Sequence, residues 1–229
     1  MNGKELAYYF DHTLLKAYAT QDDFIKLCNE AKQLGCHMVA INSYPVKLCK
    51  ELLKNTKVNV GAAISFPLGQ MTIESKLSEI QNAINDGADE IDYVINIGEA
   101  KMHRWHYIEE EMSKISEFCH KHKRIVKAIL ENCYLEKTEI KQLSLISKRI
   151  KPDFIKTSTG FGIGGATLED IKLMKDVVGD DVEIKAAGGI RDLETCMDMI
   201  NSGATRIGTS SSKKIIDELN KTLYKVDNY

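Results

Sequence analysis

No apolar run in this chain approaches the ~20 residues that a membrane-crossing helix needs, so a spanning protein is excluded as the expected class. Charge of neither sign is clustered: 31 Lys and Arg stand against 33 Asp and Glu, for a net charge of −2. Without a basic stripe, neither nucleic acid nor an anionic membrane is expected as a partner. Cys28, Cys36, Cys49, Cys119, Cys133 and Cys196 form no Cys-x-x-Cys pair. They read as reduced, mostly buried thiols. His103/His106 and His120/His122 are close pairs without a cysteine or carboxylate set at ligand spacing, so no metal is expected. The histidines carry no assignment. Prolines number only three, and no proline- or serine-rich linker divides the chain. One domain over residues 1–229 is expected, with a polar, flexible tail over 221–229. No apolar stretch follows Met1-Asn2-Gly3-Lys4-Glu5, so no signal peptide and a cytoplasmic location are expected.

What is present is alternation. With 43% hydrophobic residues the chain can build a real core. Short apolar runs of strand character fall at residues 7–13, 37–42, 58–65, 90–97, 123–130, 153–157, 182–187 and 205–209. Helical stretches with readable ends lie between them. Thr20 and Asp23 have capping-box spacing ahead of Phe24, Leu27, Cys28, Ala31 and Leu34, and Gly35 closes that helix. Thr72, Thr167 and Asp192 open others, which end near Gly87, Gly179 and Gly203. Repeated βα units give a parallel sheet, closed or doubly wound. Eight strands favour the closed (β/α)8 TIM barrel, whose functional groups gather at the C-terminal ends of the strands.

Lys156 in Asp153-Phe154-Ile155-Lys156-Thr157 and Lys185 in Glu183-Ile184-Lys185-Ala186-Ala187 each sit near such an end. A buried lysine is costly without a partner or a task. Successive strand residues alternate faces, so if Ile155 and Ile184 meet the helices, both lysines point into the barrel on adjacent strands. Two ammonium groups so placed depress each other's pKa, and a lysine with a lowered pKa attacks carbonyls. By the same parity Glu183 points inward, deeper, and needs a cationic partner. Asp92, in mid-strand between Ile91 and Tyr93, can reach Lys156 or Lys185 across the barrel as ion-pair partner or acid/base. Lys127, Asp11 and Asn42 add polar groups.

Gly188-Gly189-Ile190-Arg191 follows the seventh strand and Gly208-Thr209-Ser210-Ser211 the eighth. Glycines let backbone N–H groups approach an anion, the following helix adds its positive end, and these two loops are the usual phosphate site of such barrels. A phosphate grip beside an activated lysine implies a phosphorylated sugar or aldehyde and carbon–carbon chemistry through an enamine.

Asp11-His12-Thr13-Leu14-Leu15-Lys16, Glu90-Ile91-Asp92, Phe154 through Phe161, Lys185 through Arg191 and Gly208 through Ser211 together resemble the deoxyribose-phosphate aldolase family in its shorter bacterial form, over essentially the whole chain. The resemblance implies a class I, Schiff-base aldolase. It would reversibly cleave 2-deoxy-D-ribose 5-phosphate to D-glyceraldehyde 3-phosphate and acetaldehyde, without cofactor. It assigns Lys156 as nucleophile, Lys185 as the lysine that lowers its pKa, and Asp92 as acid/base. Gly188, Gly189, Arg191, Gly208, Ser210 and Ser211 become the phosphate clamp, and Asp11 and Thr157 line the hydroxyl side.

The chain departs from the family at Ala40, where a cysteine is common, at Asn42-Ser43, where Asn-Pro is usual, and at Glu131-Asn132 in place of Glu-Thr. Some relatives end in tyrosine, as Tyr229 does here, with a role over the site. Two other readings compete: a transaldolase-like or keto-acid aldolase, and a non-catalytic phosphosugar binder. A homodimer is left open by the sequence.

Overall fold

Eight short segments with inward and outward residues in strict alternation pair side by side and close on themselves. The computed structural model describes residues 1–226. The strands are β1 (Phe10–Leu14), β2 (Met38–Asn42), β3 (Asn59–Ile64), β4 (Glu90–Val94), β5 (Ile125–Ile129), β6 (Phe154–Lys156), β7 (Glu183–Ala187) and β8 (Arg206–Thr209). All neighbours are parallel, and β8 returns to β1 with Asp11 opposite Gly208. The expected (β/α)8 barrel is the observed architecture.

The helices are α1 (Gly3–Ala7), α2 (Gln21–Leu34), α3 (Val46–Leu52), α4 (Ile73–Asn85), α5 (Ile97–Lys101), α6 (Trp105–Lys121), α7 (Lys137–Ile150), α8 (Leu168–Val178), α9 (Leu193–Asn201) and α10 (Ser212–Val226). Their caps follow the chemistry of the sequence. Thr20 N–H donates to Asp23 Oδ2 at 2.8 Å, and Gly35 takes the left-handed conformation at φ 76°. Thr72, Thr167 and Asp192 each accept a bond from the residue three places on. Among the described residues no helix is long and apolar enough to cross a membrane.

Most strand boundaries lie within two residues of the expected runs, and two differ by more. Residues 7–9 are not strand: Asn2 and Glu5 form a capping box that winds Gly3–Ala7 into α1, burying Leu6 and Ala7. The run 90–97 ends as a strand at Val94, because Asn96 caps α5 by accepting from Glu99 N–H at 3.2 Å. The expected tail is helical through Val226, and Tyr229 lies outside the described residues.

The main apolar core lies between barrel and helices. It takes the outward residues of every strand, among them Val39, Ile41, Val60, Ile91, Val126, Ile155, Ile184 and Ile207. Each fully buried aliphatic side chain there contributes about 1.5–3 kcal/mol. Ile155 and Ile184 therefore face the helices, as their parity requires. Inside the barrel the residues are of another kind: Asp11, Glu90, Asp92, Lys127, Lys156, Lys185 and Arg206 are all buried.

Candidate active site

β6 and β7 bring Lys156 and Lys185 side by side in register, while β4 and β5 pair Asp92 with Lys127. The four side chains converge near the top of the barrel. Lys156 Nζ donates to Asp92 Oδ2 at 3.0 Å, and Lys185 Nζ donates to the same oxygen at 2.6 Å. Lys127 Nζ holds the other oxygen, Oδ1, at 2.8 Å. Burial alone would raise the Asp92 pKa, but the three ammonium groups outweigh it and hold the carboxyl well below its ordinary range.

A second tier lies underneath. Lys127 Nζ also reaches Glu90 Oε2 at 2.5 Å, and Arg206 Nη1 bonds Asp11 Oδ1 at 2.7 Å and Glu90 Oε2 at 3.3 Å. Lys185 Nζ contacts Asp11 Oδ2 at 2.5 Å as an ion pair, off the hydrogen-bond direction. Glu90 is pushed up by burial, yet Lys127, His37 and Arg206 bring it below its usual value. Lys127 is pulled down by burial and lifted further by Asp92, Glu90 and Asp11.

The charges inside the barrel can be counted. Asp11, Glu90 and Asp92 are balanced by Lys127, Lys185 and Arg206. Lys156 is the supernumerary cation. A charge without its own counterion in a dry interior is expensive, so Lys156 gives up its proton more readily than an ordinary lysine. Burial and then the Lys185 charge lower its pKa to about 8, against the opposing pull of Asp92. With that pKa about a tenth of Lys156 is free amine at pH 7, far more than for an ordinary lysine, and this amine, 4% exposed at the base of an opening, can attack a carbonyl carbon.

That opening is a cavity of about 500 Å³ at the C-terminal ends of the strands. Lys156, Gly188, Gly189, Arg191, Gly208 and Ser210 line it, together with His12, Thr13, Lys16 and Thr159, which stand in the sequence motifs without an assigned role. Asp92 and Lys185 sit below, reached through Lys156. Ser211 stands at the entry to α10, its N–H given to Thr209 Oγ1 at 2.9 Å. The loops over the cavity meet backbone to backbone. A Cβ on Gly165 would stand 2.3 Å from Gly188 O, so the β6 and β7 loops can close only through glycine.

Several expected residues stand elsewhere. Asp11 is fully buried in the lower tier and does not line the cavity. Thr157 is likewise buried, its hydroxyl donating to Ala187 O and accepting from Ala187 N–H, both at 3.1 Å. It fastens β6 to β7. Glu183, expected deep and paired inside, is exposed at the first position of β7. Strand parity aims it inward, but that position is the lower rim, where water replaces a partner. The buried acid is Glu90, paired with Lys127 and Arg206. Glu131, in the left-handed conformation after β5, accepts from Thr159 N–H and hydroxyl and ties the β6 loop to the mouth.

A lysine of lowered pKa at the top of a closed parallel barrel, fixed by a carboxylate shared with a second lysine, marks a barrel lyase of the aldolase class. The chain belongs to the DeoC/LacD aldolase family, whose profile matches residues 6–217. The deoxyribose-phosphate aldolase of Lactobacillus acidophilus is 53% identical over 215 residues, covering 94% of this chain and 91% of the relative. That of Thermococcus kodakarensis is 48% identical, covering 95% and 98%. Among solved structures, the aldolase QR15 superposes with a TM-score of 0.90 at 37% identity, covering 96% of this chain and 98% of its own. The tetrameric deoxyribose phosphate aldolase of Aeropyrum pernix gives 0.90 at 28%, covering 96% and 93%.

Proposed function

We propose that the protein is a Schiff-base aldolase that reversibly cleaves 2-deoxy-D-ribose 5-phosphate into D-glyceraldehyde 3-phosphate and acetaldehyde. The observation that carries the reading is the arrangement of Lys156 and Lys185 on one oxygen of Asp92. The names of the Lactobacillus and Thermococcus relatives support the substrate.

In this mechanism neutral Lys156 attacks C1 of the open-chain aldehyde. The carbinolamine loses water to give an iminium. Removal of the C3 hydroxyl proton then breaks the C2–C3 bond, and the electron pair moves into the iminium to form an enamine. D-Glyceraldehyde 3-phosphate departs. Protonation of the enamine at C2 and hydrolysis release acetaldehyde and restore the amine. Asp92 and Lys185 pass the protons, working through water, because neither lines the cavity directly. Three ammonium groups make the Asp92 carboxylate a weak base, so it takes a proton only as one of them gives up its charge, which fits a relay with Lys185. Gly188, Gly189, Arg191 and Ser210, with the first turn of α10, hold the phosphate.

The test is product analysis. Deoxyribose 5-phosphate should yield acetaldehyde and a triose phosphate in equal amounts. Turnover of a three-carbon ketone donor, with none of acetaldehyde, would replace this reading with a transaldolase-like one. The same proposal includes self-association, supported by the Aeropyrum relative described as tetrameric. Light scattering at the chain mass of 25.7 kDa would remove the homodimer.

A further inference from the structure

His12 is only 3% exposed yet lines the cavity, and both ring nitrogens are engaged by other elements. Nε2 lies 3.1 Å from Glu30 Oε2 on α2, and Nδ1 lies 3.1 Å from the hydroxyl of Ser212, the first residue of α10. A carboxylate only accepts, so Nε2 carries the proton and Nδ1 accepts from the Ser212 O–H, for which Thr209 O is the competing acceptor at the longer distance of 3.4 Å. The imidazole is thus a strut with fixed polarity between two helices. Ser212 is fully buried and outside the cavity lining, so its hydroxyl acts from behind the helix end. The adjacent turn is pinned from the other side: Thr209 hydroxyl donates to Ile190 O at 2.7 Å and accepts from Ser211 N–H.

We propose that His12 is a positioning residue for the substrate's phosphate, holding the N-terminal turn of α10 against the cavity through Ser212 while Glu30 fixes its ring. This rests on the phosphate site of the proposed function. An anion at a helix end is held by N–H groups whose direction matters, so a small rotation of the first turn weakens several bonds together. The charged groups sharing that cavity are Lys16, Asp23, Lys26, Glu30, Lys156 and Arg191. Burial keeps the imidazole pKa below its ordinary value, against the pull of Glu30, so the strut is neutral at pH 7 and its hydrogen bonds, more than its charge, do the holding.

The test compares the full-length protein with His12→Leu and His12→Gln, whose amide offers the same acceptor and donor. Two quantities are read: the Kd of inorganic phosphate by calorimetry, and the rate of borohydride-trapped adduct formation on Lys156 with acetaldehyde, which carries no phosphate. The expected result is a phosphate Kd raised about tenfold in His12→Leu and largely restored in His12→Gln, with trapping rates within about twofold throughout. A Kd within about twofold of wild type in His12→Leu would overturn the proposal, as would no rescue by His12→Gln. Equal losses of phosphate binding and trapping would also overturn it, since they mark a general structural role. A wild type that binds phosphate but traps no aldehyde removes the aldolase reading and leaves this comparison readable.

Discussion

Lys156 and Lys185 meet on one atom: both Nζ groups bond Asp92 Oδ2, at 3.0 and 2.6 Å. One of them must give up its charge for the interior to be neutral. Lys185 also has Asp11 within 2.5 Å, whereas Lys156, among the described residues, pairs with Asp92 alone and faces the opening. The asymmetry of counterions selects the nucleophile.

Removal of that nucleophile should separate activity from stability. Lys156→Met is expected to abolish turnover and to raise stability by about 1–3 kcal/mol at pH 7. The folded pKa lies below that of the unfolded chain, so the cost of the buried ammonium is fully present below about 8 and fades as pH rises toward the ordinary lysine value of 10.5. Thermal melts across that window check it: the gain should shrink with rising pH.

Lys185→Met should act in the opposite sense. It removes a neighbouring positive charge and leaves Asp11 and Asp92 short of a counterion, so Lys156 becomes the compensating cation. The ascending limb of kcat/KM, expected near pH 8 in the wild type, should move upward. Activity at pH 7 should fall on the order of a hundredfold, since each pKa unit is tenfold in free amine. A loss without any movement of the limb would mean that Lys185 acts only as a proton carrier.

The lower tier makes a paired prediction. Glu90→Gln removes one negative charge from the interior and should move the limb below 8; Arg206→Met removes one positive charge and should move it above. Each leaves a buried partner unmatched, at about 3–5 kcal/mol of stability. The pH–rate profiles of the two variants, measured where both remain folded, should shift in opposite directions.

Much of this was legible because strand parity is strict. The inward Lys156 and Lys185, the outward Ile155 and Ile184, and the convergence on Asp92 all follow from period two and a closed barrel. Parity fixes direction but not depth, which is why Glu183 was placed inside when it stands on the rim. Nor does it show which inward residues meet across the barrel: the stagger of the strands brings Arg206 to Glu90 and Asp11, contacts that no local spacing announces. Ala7 reads as strand because both elements would bury it, and only the Asn2–Glu5 capping box decides for helix. His12 stands in the Asp11–Lys16 motif, but nothing in its local sequence gives it a role. Its role arises from Glu30 and Ser212, 18 and 200 residues away.

The most direct test of the central claim is borohydride reduction in the presence of deoxyribose 5-phosphate, followed by peptide mass mapping. The account predicts one reduced adduct, on Lys156. An adduct on Lys185 would reverse the roles of the two lysines, and no adduct in a folded protein that binds the sugar phosphate would contradict Schiff-base chemistry altogether.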